Sequence, residues 1–300
     1  MTHPQRRCAF LTLADPSGFV MDDRHAIEPL NRVGWRVHSV PWDREPADWT
    51  SFDAVVIRST WDYQHSPDRF LSVVAAIDRS GIPLFNSAEV VRWNLRKTYL
   101  QDLAARGIPI VPSRFLDRFR PEAMDRLFED LGSEEIVLKP VVSASAERTF
   151  RLPAAGWRQR ASDLAGELGS RALLAQPFVR AVPDEGEDSL FYFDGVFSHA
   201  VRKTPAPGDF RVQEEHGAAI ATITPSAGVL RTGAAVMATL PEVPLYARVD
   251  LVRANDAADL WLMELELIEP ALYLRMDPSA PQRFAEAFVR QVSRYGGSTG

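Results

Sequence analysis

Cysteine occurs once in the 300 residues, at Cys8, which excludes an internal disulfide and a cysteine-built metal site. Inside the apolar run CAFLTL that thiol is expected to be buried and inert. The six histidines are scattered without the spacing of a metal centre. No apolar run approaches the length of a membrane span, which argues against a membrane partner. The basic N-terminus leads into an apolar run, but Asp15-Pro16 cuts it short and no small-residue cleavage site follows. A first strand in a cytoplasmic protein is therefore expected there, not a signal peptide. A net charge of −6 without a basic run argues against a nucleic-acid surface. The chain also lacks a GxxxxGK[ST] phosphate cradle and any Ser-His-Asp or Cys-His arrangement.

Lysine is scarce in a more telling way. Of 34 basic residues all are arginine except Lys97, Lys139 and Lys203. Arginine thus serves almost everywhere that a solvated positive charge suffices. The three exceptions are expected where a compact ammonium must act as a point charge on phosphate.

Up to residue 86 strand and helix patterns alternate: CAFLTL, DDRHAIEPLNRVG, WRVHSVPW, DAVVIRST, DRFLSVVAAIDRSG and IPLFN. The alternation predicts a mainly parallel sheet covered on both faces, with ligands gathering beyond the carboxyl ends of its strands. The loop after DAVVI carries Arg58, Ser59, Trp61 and Tyr63. It offers a guanidinium fork for a carboxylate, a hydroxyl and two aromatic walls, which suit a small polar substrate; the alternative is a structural loop whose rings pack underneath.

AEVVRWNLRKTYLQDLAARG predicts one long amphipathic helix that carries Lys97 and stops at Gly107. IPIVPSRFL predicts a strand, PEAMDRLFEDLG a helix, and EEIVLKPVV a strand with Lys139 at its end, where an ammonium must snorkel or find an anion. Residues 141–150, VVSASAERTF, predict a flexible hairpin able to fold over a phosphate through backbone N–H groups and the hydroxyls of Ser143 and Ser145. After the helical ASDLAGELG, the strand ALLAQPFV brings Gln176, Phe178 and Val179, a set with the chemistry of a purine slot. GEDSLFYFDGVFSHAVRKTP predicts a β-hairpin turning at Asp194-Gly195, with Glu187 near its start and Lys203 near its end. DFRVQ predicts a strand presenting Arg211, TPSAGVLRTGAAVMATLP a helix, and APQRFAEAFVRQVSRYG a terminal helix.

Between the last two helices lies an acidic hairpin, YARVDLV and LWLMELELI, each alternating with period two. Met263, Leu265 and Leu267 are expected on one side, with Glu264 and Glu266 on the other opposite Asp250. Three converging carboxylates suit either a solvated face or a magnesium ion that takes its remaining ligands from water and phosphate.

The order of these pieces resembles the ATP-grasp superfamily over nearly the full chain, in its glutathione-synthetase-like branch. The resemblance implies a mixed α/β and α+β architecture, with an N-terminal parallel α/β lobe (1–97) followed by a central (98–179) and a C-terminal (180–300) subdomain that clasp ATP between them. It implies Lys97 and Lys139 on the phosphates, Gln176, Phe178 and Val179 around the adenine, Glu187 on the ribose, and Lys203 and Arg211 on the transferring phosphate. Asp250, Glu264 and Glu266 match the magnesium positions, although the family usually carries asparagine where this chain has Glu266.

RSTWDY, GEDSLFYFDGVFSHAVRKTP, GDFRVQ and MELELIEPALYL further resemble the small group of ATP-grasp proteins that includes the cycloserine-forming O-ureido-D-serine cyclo-ligase. Within that resemblance a carboxylate of a small amino-acid-like substrate is activated by Mg-ATP as an acyl phosphate and attacked by a nitrogen of the same molecule. Arg58 and Arg211 are then the candidates for gripping the carboxylate, and residues 143–146 for the lid. An intermolecular carboxylate–amine ligase, a nucleotide-binding regulator without turnover and a two-lobed binding protein without ATP are the competing readings.

Overall fold

The computed structural model describes residues 5–44, 48–255 and 259–297. The extreme N-terminus, on which the signal-peptide reading partly rests, and the tip of the acidic hairpin lie outside them. Three sheets are formed. Strands β1 (Arg6–Thr12), β2 (Trp35–Pro41), β3 (Ala54–Ser59) and β4 (Leu84–Phe85) make a parallel sheet in the order β2-β1-β3-β4, with α1 (Arg24–Arg32) and α2 (Pro67–Arg79) as crossovers. Every residue of β3 is buried, as expected of a central strand covered on both faces.

The middle of the chain forms an antiparallel sheet, in the order β5-β8-β6-β7, from β5 (Arg114–Leu116), β6 (Glu135–Pro140), β7 (Phe150–Pro153) and β8 (Leu173–Pro177). Its own core of Met124, Leu127, Ile136, Leu152, Trp157 and Leu164 lies beneath the helices Met124–Leu131 and Ala161–Leu168. The last third builds a five-stranded antiparallel sheet, order β11-β10-β9-β12-β13, from β9 (Glu187–Phe193), β10 (Val196–Thr204), β11 (Ala219–Thr222), β12 (Tyr246–Arg253) and β13 (Leu260–Glu266). Asp194 and Gly195, at φ 51° and 75°, make the tight turn between β9 and β10.

The first and last sheets share one core. Phe10, Trp35 and Phe85 pack in a single cluster with Phe193, Tyr246 and the C-terminal helix residues Phe284 and Phe288. Two asparagines fasten the same junction. Asn86 donates to the carbonyls of Tyr246 (2.9 Å) and Leu267 (2.7 Å) and accepts from the Leu245 N–H (2.7 Å). Asn94 donates to Leu265 O and accepts from Leu267 N–H, both at 2.9 Å. Asn94→Ala strands two buried backbone groups and is expected to cost about 2–4 kcal/mol, visible as a lower urea midpoint at unchanged slope.

Four local expectations are corrected. The helix over residues 88–105 is two helices, α3 (Ala88–Asn94) and α4 (Tyr99–Ala105), and Lys97 lies in the break. Asn94 is drawn onto β13, and the Lys97 N–H leaves the helical ladder for Val141 O at 2.8 Å. IPIVPSRFL is strand only over β5; Ile110 makes an isolated parallel bridge to Leu262. DFRVQ is a loop and not a strand, shaped by Asp209, whose carboxylate accepts from the Phe210 and Arg211 N–H groups. Met263 does not share a side with Leu265, because a bulge between Asp250 and Leu251 pairs Glu264 and Leu262 with them and leaves Met263 as the extra residue. Met263 packs instead beside Val179 and Val252. Among the described residues no helix is long and apolar enough to cross a membrane.

Candidate active site

A cleft of about 200 Å³ opens between the central and C-terminal sheets and the loops of the N-terminal lobe. All three lysines reach it, Lys97 from the break between α3 and α4, Lys139 from the end of β6 and Lys203 from the end of β10. Asp250 on β12 and Glu264 and Glu266 on β13 face them, since the ladder places Asp250 opposite Glu264 and Arg248 opposite Glu266.

The acids do not meet one another around an empty centre. Lys203 Nζ lies 2.5 Å from Glu187 and 3.1 Å from Asp250, and Lys97 Nζ lies 2.9 Å from Glu264. Arg248 stands between Asp250, at 3.0 Å, and Glu266, to which it is also ion-paired. Ser189 donates at 2.6 Å to Asp250 Oδ1, which also accepts from Arg248 Nε at 3.0 Å. Among the described residues no group of three or more His, Cys, Asp or Glu is arranged to hold a metal. Asp250 keeps 2% of its side chain exposed against 24% for Glu264 and 25% for Glu266, so the two glutamates are the more open donors. Both fit Mg²⁺ as part of a set completed by phosphate oxygens, the usual way in which this ion is held beside a nucleotide.

Charge in the cleft sorts by partner. Burial alone would raise the Asp250 carboxyl, yet Arg248 and Lys203 outweigh it and hold the group well below the usual carboxylate range. Burial likewise opposes ionisation of Glu264, and Lys97 and Lys139 reverse it. Glu187 and Glu266 are pushed up to about 7 by burial, with Asp250 adding to the first and Glu264 and Asp250 to the second. Lys139 makes no ion pair among the described residues, and burial lowers its pKa. It is the ammonium left for an incoming anion.

The remaining expected residues divide. Gln176, Phe178, Val179, Ser143, Ser145, Trp61, Tyr63 and Arg211 all line the cleft. Gln176 donates to Ser113 Oγ at 3.1 Å, and the Arg151 guanidinium sits 3.7 Å from the centre of the Phe178 ring. The Arg211 guanidinium is held by the Asp209 carboxylate, 2.7 Å from Nη2. The 143–149 loop runs through left-handed backbone at Ser145, Ala146 and Arg148, and contacts at both ends fasten it. Ser143 O accepts from Lys97 Nζ at 3.0 Å, Ser145 O contacts His216 Nε2 at 3.1 Å, and Glu147 meets His65 at 2.9 Å.

Arg58 and Ser59 are not where a substrate residue belongs. Arg58 is 1% exposed, its Nε donates to Asp23 and one terminal nitrogen to Pro270 O, both at 2.9 Å, and it stacks 4.7 Å from the centre of the Tyr246 ring. Ser59 donates to the other Asp23 oxygen. The pair seals the junction of the lobes, because the buried strand end lies behind the cleft wall. Arg248, Glu269 and Tyr273 line the cleft and were not singled out in the sequence. Arg248 was within reach of the pattern, two residues before Asp250 and so on the same strand face.

Residues 8–86 match the family model of the D-cycloserine synthetase DcsG N-terminal domain. Over 286 residues the chain is 31% identical to the cycloserine biosynthesis protein DcsG of Streptomyces lavendulae, covering 89% of this chain and 92% of that one. The chain belongs to the DcsG family. It superposes on the crystal structure of D-cycloserine synthetase DcsG with a TM-score of 0.84 at 28% identity, over 95% of this chain and 99% of the other. The ATP-grasp ligase PsnB, complexed with its minimal precursor, shares the fold with a TM-score of 0.66 at 18% identity over 96% and 100%. This DcsG-family protein is thus an ATP-grasp ligase, as the resemblance of its ordered motifs implied.

Acids with raised pKa values give the family member a testable pH response. Glu187 and Glu266 at about 7, and Glu269, which burial pushes up to about 8, keep protons in the fold that the unfolded chain has released above its ordinary 4.5. Folding therefore weakens as pH rises through 7 to 8. Buried His199, lowered to about 4, is neutral in the fold, and the unfolded chain sheds its proton around the ordinary 6.5, so it opposes the trend only weakly, at the lower edge of that window. The nucleotide-free protein is expected to lose about 2–4 kcal/mol between roughly pH 6.5 and 8.5, read as a falling melting temperature in a buffer series.

Proposed function

We infer that the chain activates the carboxylate of an amino-acid-like substrate with ATP and closes a ring by attack of a nitrogen of the same molecule, with phosphate leaving and the carbamoyl group then lost to water as carbon dioxide and ammonia, converting O-ureido-D-serine to D-cycloserine. One observation carries this reading: the only three lysines of the chain, far apart in sequence, face one cleft together with Asp250, Glu264 and Glu266. The similarity to D-cycloserine synthetase DcsG along nearly the whole chain supports the choice of substrate.

In this reading Lys97 and Lys139 hold the nucleotide phosphates, with Ser143 and Ser145 of the 143–149 loop covering them. Phe178 and Val179 enclose the adenine, Gln176 lies at its edge, and Glu187 reaches the ribose beside its partner Lys203. Lys203 and Arg211 stabilise negative charge on the transferring group, for which Arg211 must leave Asp209. Glu264 and Glu266, with Asp250 behind them, would hold Mg²⁺, which when bound neutralises charge on the phosphate oxygens. Arg248 replaces Arg58 as the candidate for gripping the substrate carboxylate, because it lines the cleft, and it must then share its guanidinium with Asp250 and Glu266. Trp61 and Tyr63 wall the substrate end. The fold keeps water from the acyl phosphate and brings its two reacting ends together.

The test is an ADP-release assay with Mg-ATP against O-ureido-D-serine, D-serine and a panel of other amino acids, with products read by mass spectrometry. ADP formed in step with D-cycloserine is expected. ADP formed only with a second amine present, or no substrate-dependent release at all, overturns the reading.

A further inference from the structure

Glu269 is the one buried acid of the cleft, among the described residues, that makes no ion pair; Glu187, Asp250, Glu264 and Glu266 all have one. It is 9% exposed, lies three residues beyond Glu266 and lines the cleft beside Trp61. Its backbone carbonyl accepts from Trp61 Nε1 at 2.8 Å, and its carboxylate has the Tyr63 hydroxyl as hydrogen-bonding neighbour. Burial raises this carboxyl first of all, to about 8, and Glu266 raises it further, so the free protein keeps a proton on Glu269 at neutral pH and offers no ion-pair partner in its place. A buried carboxylate with one neutral partner is costly, and a cation arriving through the cleft would remove that cost.

The surroundings say which cation. A divalent metal needs several hard oxygen donors, whereas Glu269 is flanked by Trp61, Tyr63 and Ala271. Trp61 and Tyr63 meet Glu269 through their N–H and O–H groups, and an ammonium group, a compact cation with donors of its own, suits a carboxylate left with neutral partners. In the same cleft Arg248 offers the opposite charge, so a molecule bearing both a carboxylate and an ammonium finds a partner for each.

We propose that Glu269, walled by Trp61 and Tyr63, binds the free ammonium group of the substrate and so selects amino acids over carboxylic acids that lack the amine. The proposal rests on the ligase reading above and names the substrate class that this site accepts. If Glu269 served only to position Tyr63, a neutral amide of the same shape would replace it without loss of selectivity.

The experiment compares O-ureido-D-serine with its des-amino analogue 3-(ureidooxy)propanoate in the wild type, Glu269→Gln and Glu269→Asp. Wild type is expected to favour the amino acid by roughly 10²-fold or more in kcat/KM, the scale set by losing one partner of a buried charge pair. In Glu269→Gln the KM for O-ureido-D-serine rises by a similar factor, while kcat/KM for the analogue and the thermal shift with Mg-ADP stay within about twofold. Glu269→Asp keeps the charge and is expected to keep at least roughly a tenth of the discrimination. An equal loss on both substrates in either variant, or unchanged discrimination in Glu269→Gln, overturns the proposal and leaves the ligase reading standing. Absence of any substrate-dependent ADP release by the wild type, seen before a variant is made, overturns the ligase reading and this proposal with it.

Discussion

Glu264→Gln is expected to lower turnover by on the order of 10²–10³-fold, the loss typical when one preorganised charge-stabilising group is removed from an active site. Glu264 is the cleft acid with the strongest reason to be ionised and reachable at once, because Lys97 and Lys139 outweigh its burial while a quarter of its side chain faces solvent. The amide keeps the shape and one oxygen but loses the charge. Lys97 then stands buried without its 2.9 Å partner, which is expected to cost about 1–3 kcal/mol of stability in the nucleotide-free protein. Added Mg-ATP restores an anion beside that lysine, so the melting-temperature deficit should narrow when nucleotide is present. ADP release and a thermal melt, each with and without nucleotide, check both parts. Wild-type turnover in Glu264→Gln removes the residue from the phosphate-transfer machinery.

Lys203→Met is expected to have the largest effect on stability. The ammonium bridges two acids whose side chains are 6% and 2% exposed, and the methionine fills its volume without its charge. Breaking a buried pair in this way costs about 3–5 kcal/mol, or roughly 5–8 °C in melting temperature for a protein of this size. Asp250 retains Arg248, but Glu187 loses its only ion-pair partner among the described residues. Turnover is expected to fall as well. A variant that melts like the wild type shows that the lysine and its acids are solvated and do not form a buried network.

Much of this was legible in the chain because it depends on pattern and composition. The scarcity of lysine marked three positions that the fold brings to one cleft, and period-two alternation put Glu264 and Glu266 on a common face. The Asp194-Gly195 turn was readable from its dipeptide. What escaped was set by long-range partners. The break at Lys97 depends on Asn94 finding β13 across 171 positions of sequence, which no helical period records. Arg58 resembled a substrate fork until Asp23, Pro270 and Tyr246 closed around it. Met263 was misplaced because a bulge shifts the register by one residue, and Glu269 follows the strand where alternation carries no information.

The core shared by the first and last sheets also supports the acids of the cleft. Phe10, Trp35, Phe193, Tyr246, Phe284 and Phe288 bind those two parts into one anvil, further pinned by Asn86 and Asn94. The central sheet has a further core under its own helices, yet Val141 and Leu174 also pack with Leu190, Val249 and Leu265 of the last sheet, so Lys139 and the 143–149 loop are carried by a unit tied to that base. The strands that carry Asp250, Glu264 and Glu266 therefore stand on the same packed base as the N-terminal sheet, and a cavity made there would reach the acids of the cleft.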